Sequence, residues 1–285
     1  MFVITGATGN TGSIAAKILL SAGKKVRAVV RDAAKAKALA DLGAEIFVAD
    51  MTDQAALGRA VAGAQAVFLL SPPDLAATNF IADRKSLTGK QVQTLASAQV
   101  PHVVALSSIG AQHADGTGPI RTTYNLEQQL LASGLPATFV RAAFFVENWG
   151  AVLHPVKQDG VLPSFIRADQ AISMSSAPDI GRAIANALLE GPQGTKIVEL
   201  SGPVDVSPND VAAAFSKILG KPIQVVEAPT SAVVPTFTSF GISRNIAELF
   251  QEMYEGIASG KVAPAGGLSV YGTTSLETTL RALLG

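Results

Sequence analysis

The stretch "VITGATGNTGS", residues 3–13, decides how the start of this chain folds. Apolar and β-branched residues lead into Gly6, Gly9 and Gly12, and an apolar run over residues 14–20 follows. This order predicts a strand, a tight turn and a helix. Glycine permits the turn, lets phosphate oxygens approach the backbone and lets the helix pack closely on the strand. The helix N-terminus adds free N–H groups and a positive dipole end, so the stretch predicts a site for a dinucleotide diphosphate.

Side chains of the turn strengthen this prediction. Thr8, Asn10 and Thr11 place hydroxyl and amide groups beside the same helix N-terminus. A tight turn without a ligand is the alternative interpretation. The strand before the turn, the helix after it and the strand–helix–strand unit beyond it favour the binding site.

The first 145 residues alternate short apolar strands with helices. Strands are predicted at 2–5, 26–30, 45–49, 66–70, 102–106 and 137–141, and helices at 11–22, 33–42, 52–61, 80–98 and 120–132. Thr52 is a candidate N-cap, and Pro72 and Pro73 end the fourth strand. Nearly all-apolar strands joined by helices are typical of a parallel sheet covered on both faces. Right-handed crossovers then give an α/β fold with a Rossmann-type doubly wound sheet.

Beyond residue 145 the pattern changes, because prolines become frequent and strands become scattered. Helices are expected at 178–189, 208–219 and 243–258, and the apolar segment 229–240 is expected to be irregular. The chain therefore divides into an NAD(P)-binding Rossmann domain, residues 1–145, and a smaller C-terminal substrate or cap domain, residues 146–285. The second part is expected to be partly interleaved with the sheet, since no linker separates the two.

The residue that ends the second strand indicates which dinucleotide is bound. In this fold it meets the adenosine ribose, and an acidic residue there binds the 2′-hydroxyl of NAD. Here the position is Arg31, whose planar guanidinium can hold a 2′-phosphate by two hydrogen bonds, and Lys35 adds charge. The prediction is NADP(H), with NAD(H) less favoured, although Arg31 could be a solvated strand end and Asp32 a helix cap. Asp50, after the third strand, could bind the adenine amino group or only cap a helix.

Composition excludes several kinds of function. The chain has 22 Lys and Arg against 22 Asp and Glu, so it has no long-range field for nucleic acid or an anionic membrane. No cysteine is present, and the three histidines, at 102, 113 and 154, lack metal-ligand spacing, so no metal is expected. No apolar run reaches the roughly 18 residues of a membrane span, and no signal peptide is visible, which predicts a cytoplasmic protein.

The glycine turn, "VRD" at 30–32 and "SGLPATFVRAAFFVENW" at 133–149 together resemble the NmrA-like family of atypical short-chain dehydrogenase/reductases. The likeness is to its quinone-reductase and triphenylmethane-reductase-like branch; it covers most of residues 1–190 and fades in the cap. The resemblance implies a Rossmann domain with a small substrate domain. It also implies a phosphate turn at residues 6–12, a 2′-phosphate arginine at Arg31, and a family glutamate at Glu127.

The chain departs from the wider superfamily at the catalytic motif. Standard members use a Y-x-x-x-K motif, in which tyrosine transfers the substrate proton and lysine lowers its pKa. The three tyrosines here are followed four residues on by residues other than lysine: Tyr124 by Gln128, Tyr254 by Ala258, Tyr271 by Ser275. Ordinary alcohol–ketone chemistry and sugar-nucleotide epimerisation are therefore disfavoured.

Two functions remain. The first is NADPH-dependent hydride transfer to a quinone-like or other planar small-molecule acceptor that needs little help from an acid. The second is a non-catalytic NADP(H)-binding redox sensor that acts through a protein partner. A homodimer is left open.

Candidate site residues follow from the predicted carboxyl edge of the sheet. The nicotinamide is expected near Leu70, Ser71, Ser107 and Ser108, and the candidate catalytic residues are Ser107, His113 and Tyr124. Each could instead be a cap, an exposed loop residue or a core aromatic. The residues that could form a wall or lid for a flat acceptor, or equally pack in the core, are Phe144, Phe145, Asn148, Trp149, Phe237 and Phe240.

Overall fold

A parallel sheet of eight strands lies at the centre of the molecule in the computed structural model, which describes residues 1–72 and 74–285. The chain has these strands in order: β1 (Phe2–Thr5), β2 (Val26–Val30), β3 (Glu45–Val48), β4 (Ala66–Leu69), β5 (Val103–Ser108), β6 (Ala137–Ala142), β7 (Phe144–Phe145), β8 (Val161–Ser164), β9 (Met174–Ser175), β10 (Thr195–Ser201), β11 (Gln224–Glu227) and β12 (Leu268–Tyr271). The main sheet has the order β12-β10-β6-β5-β4-β1-β2-β3. The predicted Rossmann-type sheet is thus confirmed.

Helices cover both faces of this sheet. They are α1 (Asn10–Ser21), α2 (Lys37–Asp41), α3 (Gln54–Val61), α4 (Phe80–Ser97), α5 (Arg121–Ser133), α6 (Leu153–Asp159), α7 (Ala177–Glu190), α8 (Pro208–Leu219), α9 (Val233–Ser239), α10 (Arg244–Ala258) and α11 (Leu276–Leu284). None of the described helices is both long and apolar enough to cross a membrane.

Two apolar layers follow from the alternation of side chains along the strands. One layer packs α1 and α7 on the face that buries Phe68, and the other packs α3, α4 and α5 on the face that buries Phe139. Full burial of such a side chain contributes about 1.5–3 kcal/mol. The core therefore fixes the sheet and, with it, the loops at the strand ends.

Two strands of the main sheet come from beyond residue 145. Strand β10 pairs with β6, and β12 pairs with β10, both in parallel. The rest of this half packs around a separate apolar cluster that contains Leu162 and Phe215, with β8 and β11 paired beside it. The two halves are thus joined through the sheet as well as through their loops.

The structure corrects the sequence prediction at two places. Segment 229–240 is not irregular, because α9 occupies Val233–Ser239, with Pro235 in its first turn, where a helix needs no N–H. The cap of α3 is Asp53, whose carboxylate accepts from the Ala56 N–H at 3.0 Å, and not Thr52. Pro73 lies outside the described residues.

Candidate functional site

The glycine turn follows β1. The strand order of the sheet reverses there, because β2 lies on one side of β1 and β4 on the other. In open α/β sheets this is where ligands bind. Gly6 has φ of +59°, which other residues rarely adopt. A Cβ on Gly12 would lie 2.6 Å from the Gly6 carbonyl oxygen, so only glycine lets the helix start so close to the strand.

The N-terminus of α1 is open toward solvent. Gly9 offers no side chain to cap it, and the first turn holds no acidic residue. Thr8, Gly9 and Asn10 are exposed, whereas Thr11 is buried beneath them. The helix dipole and the N–H groups of this turn therefore face the crevice without a side chain in front of them, which suits an anionic group.

Arg31, Lys35 and Asp50 follow β2 and β3, where the sequence predicts the adenosine end of a dinucleotide. Arg31 and Lys35 are exposed, and among residues 1–72 and 74–285 neither has an ion pair. Asp32 accepts from the Ala34 N–H at 2.9 Å, which caps the following turn and leaves Arg31 free to bind. Asp50 accepts from the Thr52 N–H and hydroxyl, both at 2.8 Å, and these bonds hold the pKa of Asp50 below its usual value.

The end of β4 forms the next part of the crevice. Leu70 lies against the glycine turn, since its Cδ2 would be 2.8 Å from a Cβ on Gly6. The Ser71 hydroxyl is buried and has no hydrogen-bond partner among the described residues. An open helix N-terminus, an unpaired arginine and an unsatisfied hydroxyl along one sheet edge fit a dinucleotide phosphate.

A cavity of about 120 Å³ opens beyond this crevice, at the carboxyl ends of β5 and β6 and under α10. Its lining carries no charged side chain. The lining residues are Ser108, Ile109, Ile120, Ala143, Phe144, Phe145, Asn148, Ile172, Ser173, Met253, Ile257 and Val262. Of the sequence-predicted residues, Ser108, Phe144, Phe145 and Asn148 thus lie together on one cavity.

Ser107 takes a different position from the one its predicted catalytic role needs. It is 4% exposed, and its hydroxyl donates to Glu127 Oε1 at 2.5 Å. Glu127 in turn accepts from Arg141 Nε at 2.9 Å and Nη2 at 2.7 Å. Successive strand residues face opposite sides, so Ser108 lines the cavity and Ser107 does not. The structure thus places Ser108, and not Ser107, on the cavity.

This buried network continues across the sheet. Arg141 Nη1 lies 3.7 Å from Glu199 Oε1, and Glu199 accepts from the N–H groups of residues 265–267 at 2.7–3.1 Å. The hydrogen bond to Glu127 raises the pKa of Arg141, so its charge is permanent. Glu127 was predicted only through the family resemblance, and neither Arg141 nor Glu199 was predicted as part of a site.

The other two candidate catalytic residues are not on the cavity. Tyr124 lies half-buried on α5, and His113 lies half-buried in the loop after β5, where its N–H donates to the Gly110 carbonyl at 3.1 Å. Neither side chain belongs to the lining residues. The geometry gives no support to a proton-donor role for either one.

The predicted aromatic wall is partly at the cavity. Trp149 is 6% exposed and packs on Phe144, with ring centroids 6.4 Å apart, behind the lining. Phe237 packs on Phe165 and Phe250, and Phe240 is 76% exposed. Neither Phe237 nor Phe240 reaches the lining, so the predicted lid role has no support in this arrangement.

Glu147 is a buried carboxyl that sequence reasoning passed over. Its Oε1 accepts from the Ala177 N–H at the start of α7 at 2.8 Å, and its Oε2 has no partner among the described residues. Burial raises the pKa of Glu147, and the nearby charge of Asp179 acts in the same direction. Its neighbours in the sequence are Val146 and Asn148, which give no clear signal of this burial.

Curated relatives match most of the chain. NAD(P)H azoreductase of Xenophilus azovorans is 26% identical over 254 residues, which cover 89% of this chain and 86% of the relative. Quinone oxidoreductase 2 of Escherichia coli is 27% identical over 267 residues, which cover 91% of this chain and 89% of the relative.

Solved structures share the fold along the whole chain. The NADPH complex of the quinone oxidoreductase from Escherichia coli has a TM-score of 0.84 at 24% identity and covers 100% of both chains. The NADP(H) complex of Citrobacter triphenylmethane reductase has a TM-score of 0.82 at 21% identity and covers 99% of this chain and 100% of its own. The model of the NmrA-like family matches residues 1–272. This match confirms the resemblance inferred from the sequence, and the chain belongs to the NmrA-like family.

Proposed function

We propose that the protein is an NADPH-dependent reductase that passes hydride to a planar, quinone-like acceptor without a tyrosine–lysine pair. One observation carries the proposal: the open glycine turn and the uncharged cavity lie along the same edge of the sheet. The first suits a dinucleotide phosphate, and the second suits a flat apolar molecule.

Different residues of the chain bind different parts of the cofactor. The N–H groups at the start of α1 hold the diphosphate, with Thr8 and Asn10 beside them. Arg31 grips the 2′-phosphate, and Lys35 adds positive charge, so NADPH is favoured over NADH. Ser71 meets the nicotinamide end. When bound, NADPH supplies a hydride to the acceptor.

The cavity orients the acceptor by its shape and provides no acid catalyst. Phe144, Phe145 and Ile109 offer apolar surface on which a ring can stack, and they exclude water from the reacting face. Within the described lining, no carboxyl, histidine, tyrosine or lysine side chain can deliver a proton. A quinone spreads the incoming electron pair over its ring and takes its proton from solvent afterwards.

The named relatives agree with this function and with the predicted cofactor. The azoreductase uses NAD(P)H, and the quinone oxidoreductase binds NADPH. By their names, one acts on azo compounds and the other on quinones, and both kinds of acceptor are conjugated. The relatives do not distinguish among quinones, azo dyes and triphenylmethane dyes for this chain.

The test follows NADPH absorbance with a panel of quinones, azo dyes and simple ketones. Turnover of quinones without turnover of ketones is expected. Turnover of ketones but not of quinones overturns the mechanism. Micromolar NADPH binding with no turnover of any acceptor favours the redox-sensor alternative, and recovery of a protein partner by pull-down then tests that alternative.

A further inference from the structure

The cavity at the ends of β5 and β6 is small for a ligand site. Its volume is about 120 Å³. An apolar protein cavity of about 150 Å³ holds one benzene molecule, whereas pockets for drug-sized ligands measure about 300–1,000 Å³. The cavity therefore has room for one six-membered ring, and a second fused ring needs space that the wall of the cavity occupies.

Val262 forms part of this wall and comes from the segment between α10 and β12. We call this segment, residues 259–267, the strap. A Cβ on Gly110 would lie 3.4 Å from Val262 Cα and 3.5 Å from its Cγ1, and a Cβ on Gly256 would lie 3.1 Å from its Cγ2. The half-buried valine thus fills a slot between the loop after β5 and helix α10, which the two glycines leave open.

Hydrogen bonds fix the strap on both sides of this valine. The Val262 N–H donates to the Gly256 carbonyl at 3.1 Å, and Gln112 Nε2 donates to the Ala263 carbonyl at 3.2 Å. Further along the strap, the buried Glu199 accepts from three successive N–H groups at 2.7–3.1 Å. A connection held in this way moves less than an ordinary loop, so the wall keeps its position when a ligand enters.

Resting on the proposed function, we infer that the cavity takes acceptors with a single conjugated ring, such as benzoquinones, and that Val262 sets this size limit. Ile109 and Ile257 also line the cavity, but they are fixed by β5 and by α10. Shortening Val262 opens a slot whose sides are glycine, so space is gained without moving a helix or a strand. In a hydrophobic pocket, one methylene more or less changes discrimination about 10–200-fold. Naphthoquinones, azo dyes and triphenylmethane dyes all carry more rings than the cavity holds.

Binding is measured first, without NADPH, so that it does not depend on turnover. Trp149 is the one tryptophan of the chain and packs on Phe144 of the lining, so quenching of its fluorescence reports occupation of the cavity. The probes are p-benzoquinone and naphthoquinone, which differ by one fused ring. We expect the natural protein to bind naphthoquinone no more tightly than benzoquinone, and Val262→Ala to shift the ratio of affinities toward naphthoquinone about 10-fold. The same ratio in both proteins overturns the inference.

Two control variants separate size from other effects. Val262→Thr keeps the volume and the branching of the side chain, so it should change the ratio less than about 3-fold. Val270→Ala shortens a half-buried valine of β12 that lies outside the lining, and the same limit applies to it. A shift in either control as large as that in Val262→Ala overturns the inference.

Turnover then tests the size limit together with the proposed function. Each quinone is compared with itself across the variants, so differences in reduction potential between the quinones cancel. In Val262→Ala, kcat/KM for naphthoquinone relative to benzoquinone should rise about 10-fold. A natural protein that reduces no quinone rejects the proposed function, and the binding ratios still decide the size limit. Intact turnover with the same ratios in the natural protein and in Val262→Ala rejects the size limit alone and leaves the reductase proposal standing.

Discussion

Replacement of Arg141 by methionine tests the buried network beneath the site. Arg141 lies between Glu127, which accepts two of its hydrogen bonds, and Glu199 at 3.7 Å. The side chains of the three residues are 7%, 3% and 1% exposed. Methionine fills most of the volume of the arginine stem but leaves two carboxylates without their cation.

The expected cost follows from which group loses its partner. Glu199 keeps three backbone N–H donors, whereas Glu127 keeps, within residues 1–72 and 74–285, the Ser107 hydroxyl alone. Breaking one such buried pair typically costs about 3–5 kcal/mol, because a buried charge is left uncompensated. At about 2–4 °C per kcal/mol for a protein of roughly this size, Tm should fall by roughly 6–20 °C.

The measurement is urea unfolding followed by Trp149 fluorescence, with the double variant Arg141→Met/Glu127→Gln beside it. The double variant should recover at least half of the loss, since it removes the stranded charge. Arg167→Met, whose pair with Asp169 is exposed, is the control and should change stability by less than about 0.5 kcal/mol. A loss below about 1 kcal/mol for Arg141→Met, or strictly additive losses in the double variant, refutes the reasoning.

Four further predictions concern binding, turnover and pH. Arg31→Ala should weaken NADPH binding about 10–100-fold and spare NADH, since it removes only charge-assisted bonds to the 2′-phosphate; equal losses in a titration would sink that assignment. Gly9→Val should abolish NADPH binding with little change in Tm, because its Cβ lies 3.2 Å from the nearest backbone atom and its methyl groups cover the helix N-terminus; retained affinity places the ligand elsewhere. Tyr124→Phe and His113→Ala should each lower quinone turnover far less than the roughly 10²–10⁴-fold expected of a general acid, and a loss in that range would contradict the cavity geometry. Glu147→Gln should become more stable relative to the natural protein as pH rises above about 4.5. Burial raises the pKa of Glu147 in the folded state, so the stability that its neutral carboxyl contributes is full below about 4.5 and is lost as pH rises through the folded-state pKa. A difference in Tm between the two proteins that does not change with pH would refute this.

The sheet could be predicted from sequence because its signals are local. Strand β2, Val26–Val30, is short and apolar, and glycines stop the helices around it. Helix α9 was missed because Pro229 and Pro235 and several hydroxyl residues resemble a loop. Proline in a first helical turn removes no intrahelical hydrogen bond, and Phe237 of α9 packs on Phe165 and Phe250.

The diphosphate turn was predictable for the same local reason, whereas the acceptor cavity was not. Adjacent serines 107 and 108 look alike in sequence, and only the position of Glu127 on α5 shows which one faces the core. Ser173 lies in a region of scattered short strands without periodicity. Its place in the cavity depends on pairing between β7 and β9, a contact that no local pattern encodes.

The chemistry of the cavity follows from which protons are available within it. Burial raises the pKa of Tyr254 to about 12, and this tyrosine packs on Phe165 outside the lining. The described lining therefore offers hydroxyl and amide donors but no group whose pKa lies near neutrality, where general acids work best. Reduction of a simple ketone would leave a localised alkoxide that such donors stabilise poorly. A conjugated acceptor delocalises the same charge, so a site that lacks an acid selects its substrates by their electronic structure.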